Sequence, residues 1–431
     1  MQHPILEMID ERRQGEPVGI PSFCTSNRQV LKTILKDSAR NHRTVLIEAT
    51  ANQVDQFGGY TGMRPADYVQ FIRELARETG CNMDQIILGG DHLGPLTFCK
   101  ECEEQAMQKA EDLVREYAGA GFTKIHLDTS MKVADDPEGA LDVAVCARRG
   151  ARLCRVAEEA FAQRKLQFPQ AQHPVYVIGS EVPVPGGETQ QESSIAVTRP
   201  EDCRNTLNTY RQAFHEAGLD DAWKYVVALV VQPGVEYSDN GVFLYNRSDA
   251  AQLVQVLKDF PQLVFEGHST DYQPETCLKQ MVEDGIAILK VGPALTFAYR
   301  EALFALSHIE KELIPECQRA DFPRVLDQAM QDQPQNWEKY YHGSSQEQRI
   351  SRSYSLSDRA RYYMGVPEVS QAAEKLMQNL ENQKIPVGLI YQYFPEFAEK
   401  ALAEQKMPTA EDLLEQEIMY TVNQYMRAAQ N

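Results

Sequence analysis

The chain has 431 residues, of which 43% are hydrophobic and 24% charged, and its formal net charge is −19. This composition is typical of a globular protein, and the length fits one large domain or two. The negative charge excludes nucleic acid as a partner, because binding it requires a basic face. No apolar stretch is long enough to span a membrane and the first residues lack a signal-peptide layout, so we expect a cytoplasmic protein without a membrane partner.

Eight short apolar runs alternate with longer segments of helical periodicity along the first two thirds of the chain. The runs lie at residues 18–24, 44–50, 86–91, 124–128, 175–181, 226–232, 263–268 and 286–291. Nearly continuous β-branched runs predict strands buried on both faces, as in a parallel sheet. The helical segments lie at 65–79, 105–120, 141–162, 200–217, 250–258 and 274–284. Eight strand–helix units predict an α/β fold of the (β/α)8 TIM-barrel type, with a doubly wound sheet as the alternative.

The last third of the chain is mostly helical in its periodicity. We expect residues 297–313 to form the last barrel helix, residues 1–315 to form the barrel and residues 316–431 to form a helical C-terminal extension. Such an extension packs on the barrel or on a neighbouring subunit, and we expect a homo-oligomer.

One predicted strand end combines several features of an active site. At residues 86–95 an apolar run reaches Gly89 and Gly90 and is followed by Asp91 and His92. We interpret the glycines as a turn that lets a ligand come close. An Asp-His pair can supply a general acid or base together with a metal ligand. Barrel enzymes place their active sites at this carboxyl edge.

Other predicted strands end in residues that suit a metal site. His92, Glu181 and His268 follow strands three, five and seven and form a set of two imidazoles and one carboxylate, which suits zinc and other divalent ions. Asp128 is either a fourth ligand or a partner that orients a histidine. We expect His126 to point away from Asp128 across the strand and not to be a ligand. The alternative for each residue alone is a structural hydrogen bond.

The same edge offers groups for a substrate. Ser269 and Gly292 lie in short loops after strands seven and eight, where this fold commonly binds phosphate through loop amides and a helix N-terminus. Lys290 adds a cation, and its alternatives are pairing with a carboxylate or a Schiff base. Three amide side chains follow strands two and six: Asn52, Gln53 and Gln232.

Several long segments resemble the family of tagatose-bisphosphate aldolase Z-subunits, once labelled tagatose-6-phosphate kinases. The resemblance is carried by residues 48–63, 88–95, 180–187, 230–235, 267–273, 289–297 and 355–363. It implies a TIM barrel distantly similar to class II aldolases, which hold a catalytic divalent metal at strand ends. It also implies that Asp91 is a general acid and that His92 and His268 bind the metal, here Zn²⁺ or Mn²⁺. Glu181 stands where class II aldolases have a histidine.

The resemblance implies two functions. The first is a ketohexose-phosphate 4-epimerase that interconverts D-tagatose and D-fructose, or their 6-phosphates, in galactitol or tagatose catabolism, and we predict this function. The alternative is a non-catalytic subunit of D-tagatose-1,6-bisphosphate aldolase that stabilises and activates a catalytic partner. A kinase is excluded, because the sequence has no GxxxxGK(S/T) loop and no other kinase motif set.

Epimerisation at C4 suggests retro-aldol chemistry. C4 is not adjacent to the C2 carbonyl, so deprotonation there has no enolate to stabilise it. We therefore expect the C3–C4 bond to be cleaved and formed again with a divalent metal at the carbonyl. A hydride carrier is disfavoured, because no GxGxxG motif follows a strand. On this hypothesis the metal ligands are His92, Glu181 and His268, and the groups that transfer protons are Asp91 and Asp128. The groups assigned to the sugar hydroxyls and the phosphate are Asn52, Gln53, Gln232, Ser269, Lys290 and Gly292.

Overall fold

The computed structural model describes residues 2–179 and 195–430. The strands among them are β1 (Ile20–Cys24), β2 (Val45–Thr50), β3 (Ile86–Leu93), β4 (Lys124–Leu127), β5 (Val175–Ile178), β6 (Val226–Val231), β7 (Glu236–Tyr237), β8 (Val242–Phe243), β9 (Val264–Gly267) and β10 (Ile286–Val291). Eight of these form a closed parallel barrel in the order β1-β10-β9-β6-β5-β4-β3-β2, and β7 and β8 form a separate hairpin. Closure is direct, because Ser22 of β1 pairs with Leu46 on one side and with Lys290 on the other. The predicted TIM barrel is confirmed and the doubly wound alternative is wrong.

Helices surround the barrel and continue after it. They are α1 (Pro4–Arg13), α2 (Arg28–Asn41), α3 (Pro65–Thr79), α4 (Glu103–Ala120), α5 (Val143–Gln167), α6 (Pro200–Glu216), α7 (Asp220–Trp223), α8 (Arg247–Val254), α9 (Glu275–Glu283), α10 (Pro293–Leu313), α11 (Phe322–Asp332), α12 (Ser345–Tyr354), α13 (Pro367–Glu381), α14 (Val387–Tyr393), α15 (Pro395–Ala403) and α16 (Ala410–Ala429). No helix in these two described stretches is long and apolar enough to cross a membrane.

The apolar pattern of the sequence explains the two cores. Every residue of β6 is buried, as expected for a strand covered on both faces. One core packs the outer faces of the strands against the surrounding helices. A second core joins Ile5 and Ile9 of α1 to residues near the starts of strands, such as Ile20 and Ile87, and thereby closes the amino end of the barrel. The carboxyl end is left for the polar residues.

The helices after α10 pack on the barrel of the same chain. Helix α16 contacts α2, α9 and α10, and the amide of Gly19 donates to the carbonyl of Ala429 at 2.9 Å. The segment between α12 and α13 includes a short 3₁₀ helix, Arg359–Tyr363, that lies over the barrel mouth. The division of the chain at residue 315 stays a prediction.

Candidate active site at the carboxyl end of the barrel

The carboxyl ends of the strands open into a cavity of about 1460 Å³. Seven residues predicted from the sequence line it: Asn52, Gln53, His92, His268, Ser269, Lys290 and Gly292. Asp91 and Asp128 lie behind this lining and are completely or almost completely buried, and Gln232 is buried elsewhere. Glu181 falls outside the described residues, so its assignment as a ligand stays a prediction.

The two glycines before Asp91 have a different role from the predicted one. They lie inside β3, which continues to Leu93, and do not form a turn. A Cβ atom on Gly89 would lie 2.5 Å from Oε1 of Glu48. A Cβ atom on Gly90 would meet the ring of Tyr117 at 2.6 Å. The interpretation as a turn is wrong, because each glycine makes room for the side chain of a neighbouring element.

Three buried imidazoles form a cluster at the end of the barrel. The ring centroid of His92 lies 5.1 Å from that of His126 and 5.0 Å from that of His268. The ring centroids of His126 and His268 are 5.3 Å apart. We call these three residues the histidine cluster. His92 has a φ angle of 51°, a left-handed conformation that non-glycine residues rarely adopt and that is enriched at functional sites.

The expected orientation of His126 is wrong. His126 does not point away from Asp128: its Nδ1 lies 2.9 Å from Oδ1 of Asp91, while Asp128 contacts the neighbouring His92. The physical reason is the period of a strand, because residues two positions apart point to the same face. The spacing of His126 and Asp128 in the sequence therefore contained the signal.

The other two histidines of the cluster are each held by a further buried carboxylate. Nδ1 of His92 lies 2.8 Å from Oδ2 of Asp128. Nε2 of His268 lies 2.9 Å from Oε1 of Glu266, a residue that the sequence analysis missed. Such pairs fix the orientation of an imidazole and direct its second nitrogen, as second-layer carboxylates do at metal sites. Burial opposes the charge of Asp128, but contact with His92 outweighs it and lowers the pKa of Asp128 to about 2.

Asp91 is the centre of the polar contacts. One of its oxygens faces His126, and the other lies 2.6 Å from Nζ of Lys290 and 3.4 Å from Nε2 of His92. Burial favours the neutral acid, but His92 and Lys290 outweigh it and hold the pKa of Asp91 well below its usual value. Asp91 is therefore a carboxylate with a cation in direct contact.

Below the histidine cluster lies a buried charge network of Glu48, Asp91, Lys124, Glu266 and Lys290. Nζ of Lys124 is 2.5 Å from Glu48 and 2.7 Å from Glu266, and Lys290 bridges Glu48 and Asp91. Burying charges is costly unless they are paired, and each of these is. Burial favours the neutral amine of Lys290, but Asp91 and Glu48 outweigh it and raise its pKa well above the usual value. A Schiff base, which needs a neutral amine, does not fit this environment.

The donor set fits a divalent metal. One donor atom from each of Asp91, His126, Glu266 and His268 lies within 4.8 Å of the others, with the ring of His92 beside them. A mixture of imidazole and carboxylate donors suits Zn²⁺ and Mn²⁺. Nε2 of His126 also lies 2.8 Å from the carbonyl oxygen of Gly179, so both of its nitrogens are engaged. The geometric donor group contains His126 and His268, and the assignment of His92 and His268 as the metal ligands stays a prediction.

Two groups assigned to the substrate are engaged by the chain itself. Oε1 of Gln232 accepts the amides of Gly234 and Val235, so this side chain shapes its own loop. The amide of Gly292 donates to the carboxylate of Asp271 at 3.0 Å, and the amide of Ala294 donates to the same oxygen at 2.9 Å. The expected phosphate position at the start of α10 is thus taken by a carboxylate, whose pKa burial raises to about 6.

The cavity also has a lining that the sequence analysis did not assign. Arg361 and Tyr362 of the 3₁₀ helix reach it from the C-terminal part of the chain, and Tyr60 reaches it from the loop after β2. The rings of Tyr60 and Tyr362 are in edge contact with centroids 5.0 Å apart. The C-terminal part of the chain therefore forms part of the wall of the cavity.

Comparisons with known proteins place the chain among its relatives. A family model described as D-tagatose-1,6-bisphosphate aldolase subunit GatZ/KbaZ-like matches residues 5–430. The crystal structure of a probable tagatose 6 phosphate kinase from Sinorhizobium meliloti 1021 is 42% identical, with a TM-score of 0.87, over 95% of this chain and 100% of that one. Fructose-bisphosphate aldolase from Campylobacter jejuni is 12% identical, with a TM-score of 0.46, over 87% of this chain and 92% of that one. The last likeness is too weak to inform the chemistry of this chain.

Proposed function

The chain belongs to the D-tagatose-1,6-bisphosphate aldolase subunit GatZ/KbaZ-like family, and on that premise we propose that it is a metal-dependent 4-epimerase that interconverts D-tagatose 6-phosphate and D-fructose 6-phosphate. The observation that carries the proposal is the histidine cluster, in which His92 and His268 are each held by a buried carboxylate beside a cavity. A protein that only supports a partner does not need buried imidazoles at such a cost in desolvation.

The metal would be Zn²⁺ or Mn²⁺, held by His92 and His268, with Glu181 as the proposed third ligand. When bound, it polarises the C2 carbonyl of the sugar. Asp128 and Glu266 keep the two imidazoles in their orientation. Asn52, Gln53 and Ser269, which line the cavity, are the proposed partners of the sugar hydroxyls.

Lys290 and Asp91 move the proton in this proposal. Asp91 is fully buried, whereas Lys290 faces the cavity with its Nζ 2.6 Å from Asp91. The C4 hydroxyl proton passes to Lys290 as Lys290 gives its own proton to Asp91. The C4–O bond becomes a carbonyl, the C3–C4 bond breaks, and its electron pair moves towards the C2 carbonyl. The aldehyde then turns, the bond forms on its other face, and the proton returns along the same route to the C4 oxygen.

The test uses the purified chain alone. Loaded with Zn²⁺ or Mn²⁺, it should convert D-tagatose 6-phosphate to D-fructose 6-phosphate, and a chelator should abolish the conversion. Asp91→Asn should remove the activity, whereas Asp249→Asn, on the exposed face of α8, should keep it. Absence of turnover with either metal would reject the epimerase.

The second candidate is the non-catalytic aldolase subunit, which the description of the family favours. The same preparation distinguishes the two. A chain that is inactive alone but increases the activity and stability of an added catalytic aldolase subunit is the accessory protein. The proposed homo-oligomer is tested by light scattering after gel filtration, without and with that subunit.

A kinase is not proposed, although the relative from Sinorhizobium meliloti carries that name. The sequence contains neither a GxxxxGK(S/T) loop nor the other kinase motifs.

A further inference from the structure

Arg361 is a cation in the wall of the cavity whose partners are neutral. Its guanidinium donates to the carbonyl oxygens of Ser357 and Asp358, the latter at 3.1 Å, and to the hydroxyl of Tyr362 at 2.9 Å. It forms no ion pair with any carboxylate of residues 2–179 and 195–430. The same cavity contains His92 and His268.

The segment that carries Arg361 is fixed by buried polar contacts. The carboxylate of Asp358 binds Nε of Arg300 at 2.8 Å and the hydroxyl of Thr296 at 2.6 Å, both on α10. The hydroxyls of Ser355 and Ser357 donate to Asp239 in the turn between β7 and β8, at 2.8 and 2.7 Å. Asp358 is thereby committed to Arg300, and the backbone before Arg361 is held at the barrel mouth.

The other cations in the cavity wall already form ion pairs with carboxylates. Among described residues, the lysines and arginines of this wall are Arg28, Lys290 and Arg361. Arg28 pairs with Glu78, and Lys290 pairs with Glu48 and Asp91. The charges of Asp271 and Asp358 act on Arg361 from beyond ion-pair distance, so its guanidinium can still form direct contacts with an anion from solution.

The surroundings of Arg361 suit a phosphate. The start of α10, where this fold commonly binds phosphate, is taken by the carboxylate of Asp271. The hydroxyl of Tyr362 contacts Arg361 at 2.9 Å, and the ring of Tyr60 lies against that of Tyr362 in the same cavity wall. Tyrosine hydroxyls can donate to phosphate oxygens. The charge of Arg361 also lowers the pKa of Tyr362, as expected for a cation in contact with that hydroxyl.

We propose that Arg361, with Tyr60 and Tyr362, binds the phosphate group of a phosphorylated ketohexose whose other end reaches the histidine cluster. The sugar part of this inference rests on the proposed function, whereas the anion site rests on Arg361 itself. The site would give the chain a preference for the phosphorylated sugar over the free sugar. A planar guanidinium can bind two phosphate oxygens at once, which a lysine cannot do.

Calorimetry on the whole chain kept free of metal tests the site by binding, because the proposed reaction does not run without the metal. The wild-type chain should bind D-tagatose 6-phosphate about 10-fold or more tightly than D-tagatose. Arg361→Gln should remove this preference and leave the affinity for D-tagatose unchanged, and Arg361→Lys should retain part of it. Arg28→Gln is the matched control, because Arg28 lines the same cavity but is paired, and it should keep the full preference.

A competition experiment on the wild-type chain needs no variant. Inorganic phosphate should displace D-tagatose 6-phosphate but not D-tagatose. An equal affinity for both sugars, or a preference that survives Arg361→Gln, overturns the proposal. If the preference depends on Arg361 but no epimerisation occurs, the anion site stands and the epimerase fails. If epimerisation occurs without the preference for the phosphorylated sugar, the epimerase stands and the anion site fails.

Discussion

Gly89 of β3 lies opposite Glu48 of β2, and the carboxylate of Glu48 occupies the space in which a side chain on Gly89 would stand. Lys124 of β4 pairs with Gly89 on its other side. The side chain of Glu48 therefore crosses the position of Gly89 and meets Lys124 at 2.5 Å. The buried ion pair between Glu48 and Lys124 therefore requires a glycine at position 89.

Gly89→Ala should destabilise the protein by about 1–3 kcal/mol, because the added methyl group displaces Glu48 from its cations. The epimerase activity should fall with it. Gly119→Ala is the control, since Gly119 lies in α4 with no atom within 4 Å of a new Cβ, and it should be neutral or stabilising by about 0.5–1 kcal/mol. Urea unfolding measures both variants. Equal stability of the two would contradict the role given to Gly89.

Lys124→Met should cost about 3–5 kcal/mol in the free energy of unfolding, because it leaves Glu48 and Glu266 buried with one cation fewer. The double variant with Glu266→Gln should recover part of the loss, since it also removes a charge. Lys224→Met, at an exposed site, should leave the urea midpoint unchanged. A single variant as stable as the wild type would show that the network is not required.

Variants of the three histidines of the cluster should differ in their metal content. His92→Ala and His268→Ala should lose the bound metal. His126→Asn should keep it and lose about 10- to 100-fold in kcat, because His126 holds Asp91. Elemental analysis of dialysed protein gives the stoichiometry, with the exposed His215→Asn as control. Loss of metal from His126→Asn to the same extent as from His268→Ala would make His126 a ligand.

Glu417 of α16 should make stability depend on pH. Burial, together with Glu301 and Glu396, raises its pKa from 4.5 to about 7. The native state therefore binds the proton of Glu417 more tightly than the unfolded state does. The stabilisation that this proton provides is complete below about pH 4.5 and is lost as the pH rises through 7. Glu417→Gln should raise the Tm by about 3 °C at pH 8 and leave it unchanged near pH 4.5.

The exposed Glu404→Gln is the control for this comparison. It should leave the Tm unchanged at both pH values. A Glu417→Gln variant with the same Tm as the wild type at pH 8 would show that the ionised Glu417 does not destabilise the native state.

Much of the barrel was predictable because each strand is a short apolar run between helical periods. Residues at strand ends, such as His92 and His268, were predictable for the same reason. Lys124 and Glu266 were missed because they lie inside strands, where only the closed barrel brings charges from distant strands together. Arg361 could not be placed, because its position depends on how the helices after the barrel pack.

The attachment of the C-terminal segment to α10 has a consequence for biosynthesis. A nascent chain that has left the ribosome as far as β10 has all its barrel strands, but the roof of the cavity is still in the exit tunnel or untranslated. The carbonyl of Ala429, which accepts the amide of Gly19 beside the first strand, is made after every barrel strand. A chain truncated after β10 would therefore lack α10 and Arg361, so the wall of the cavity is complete only after the C-terminal helices have been made.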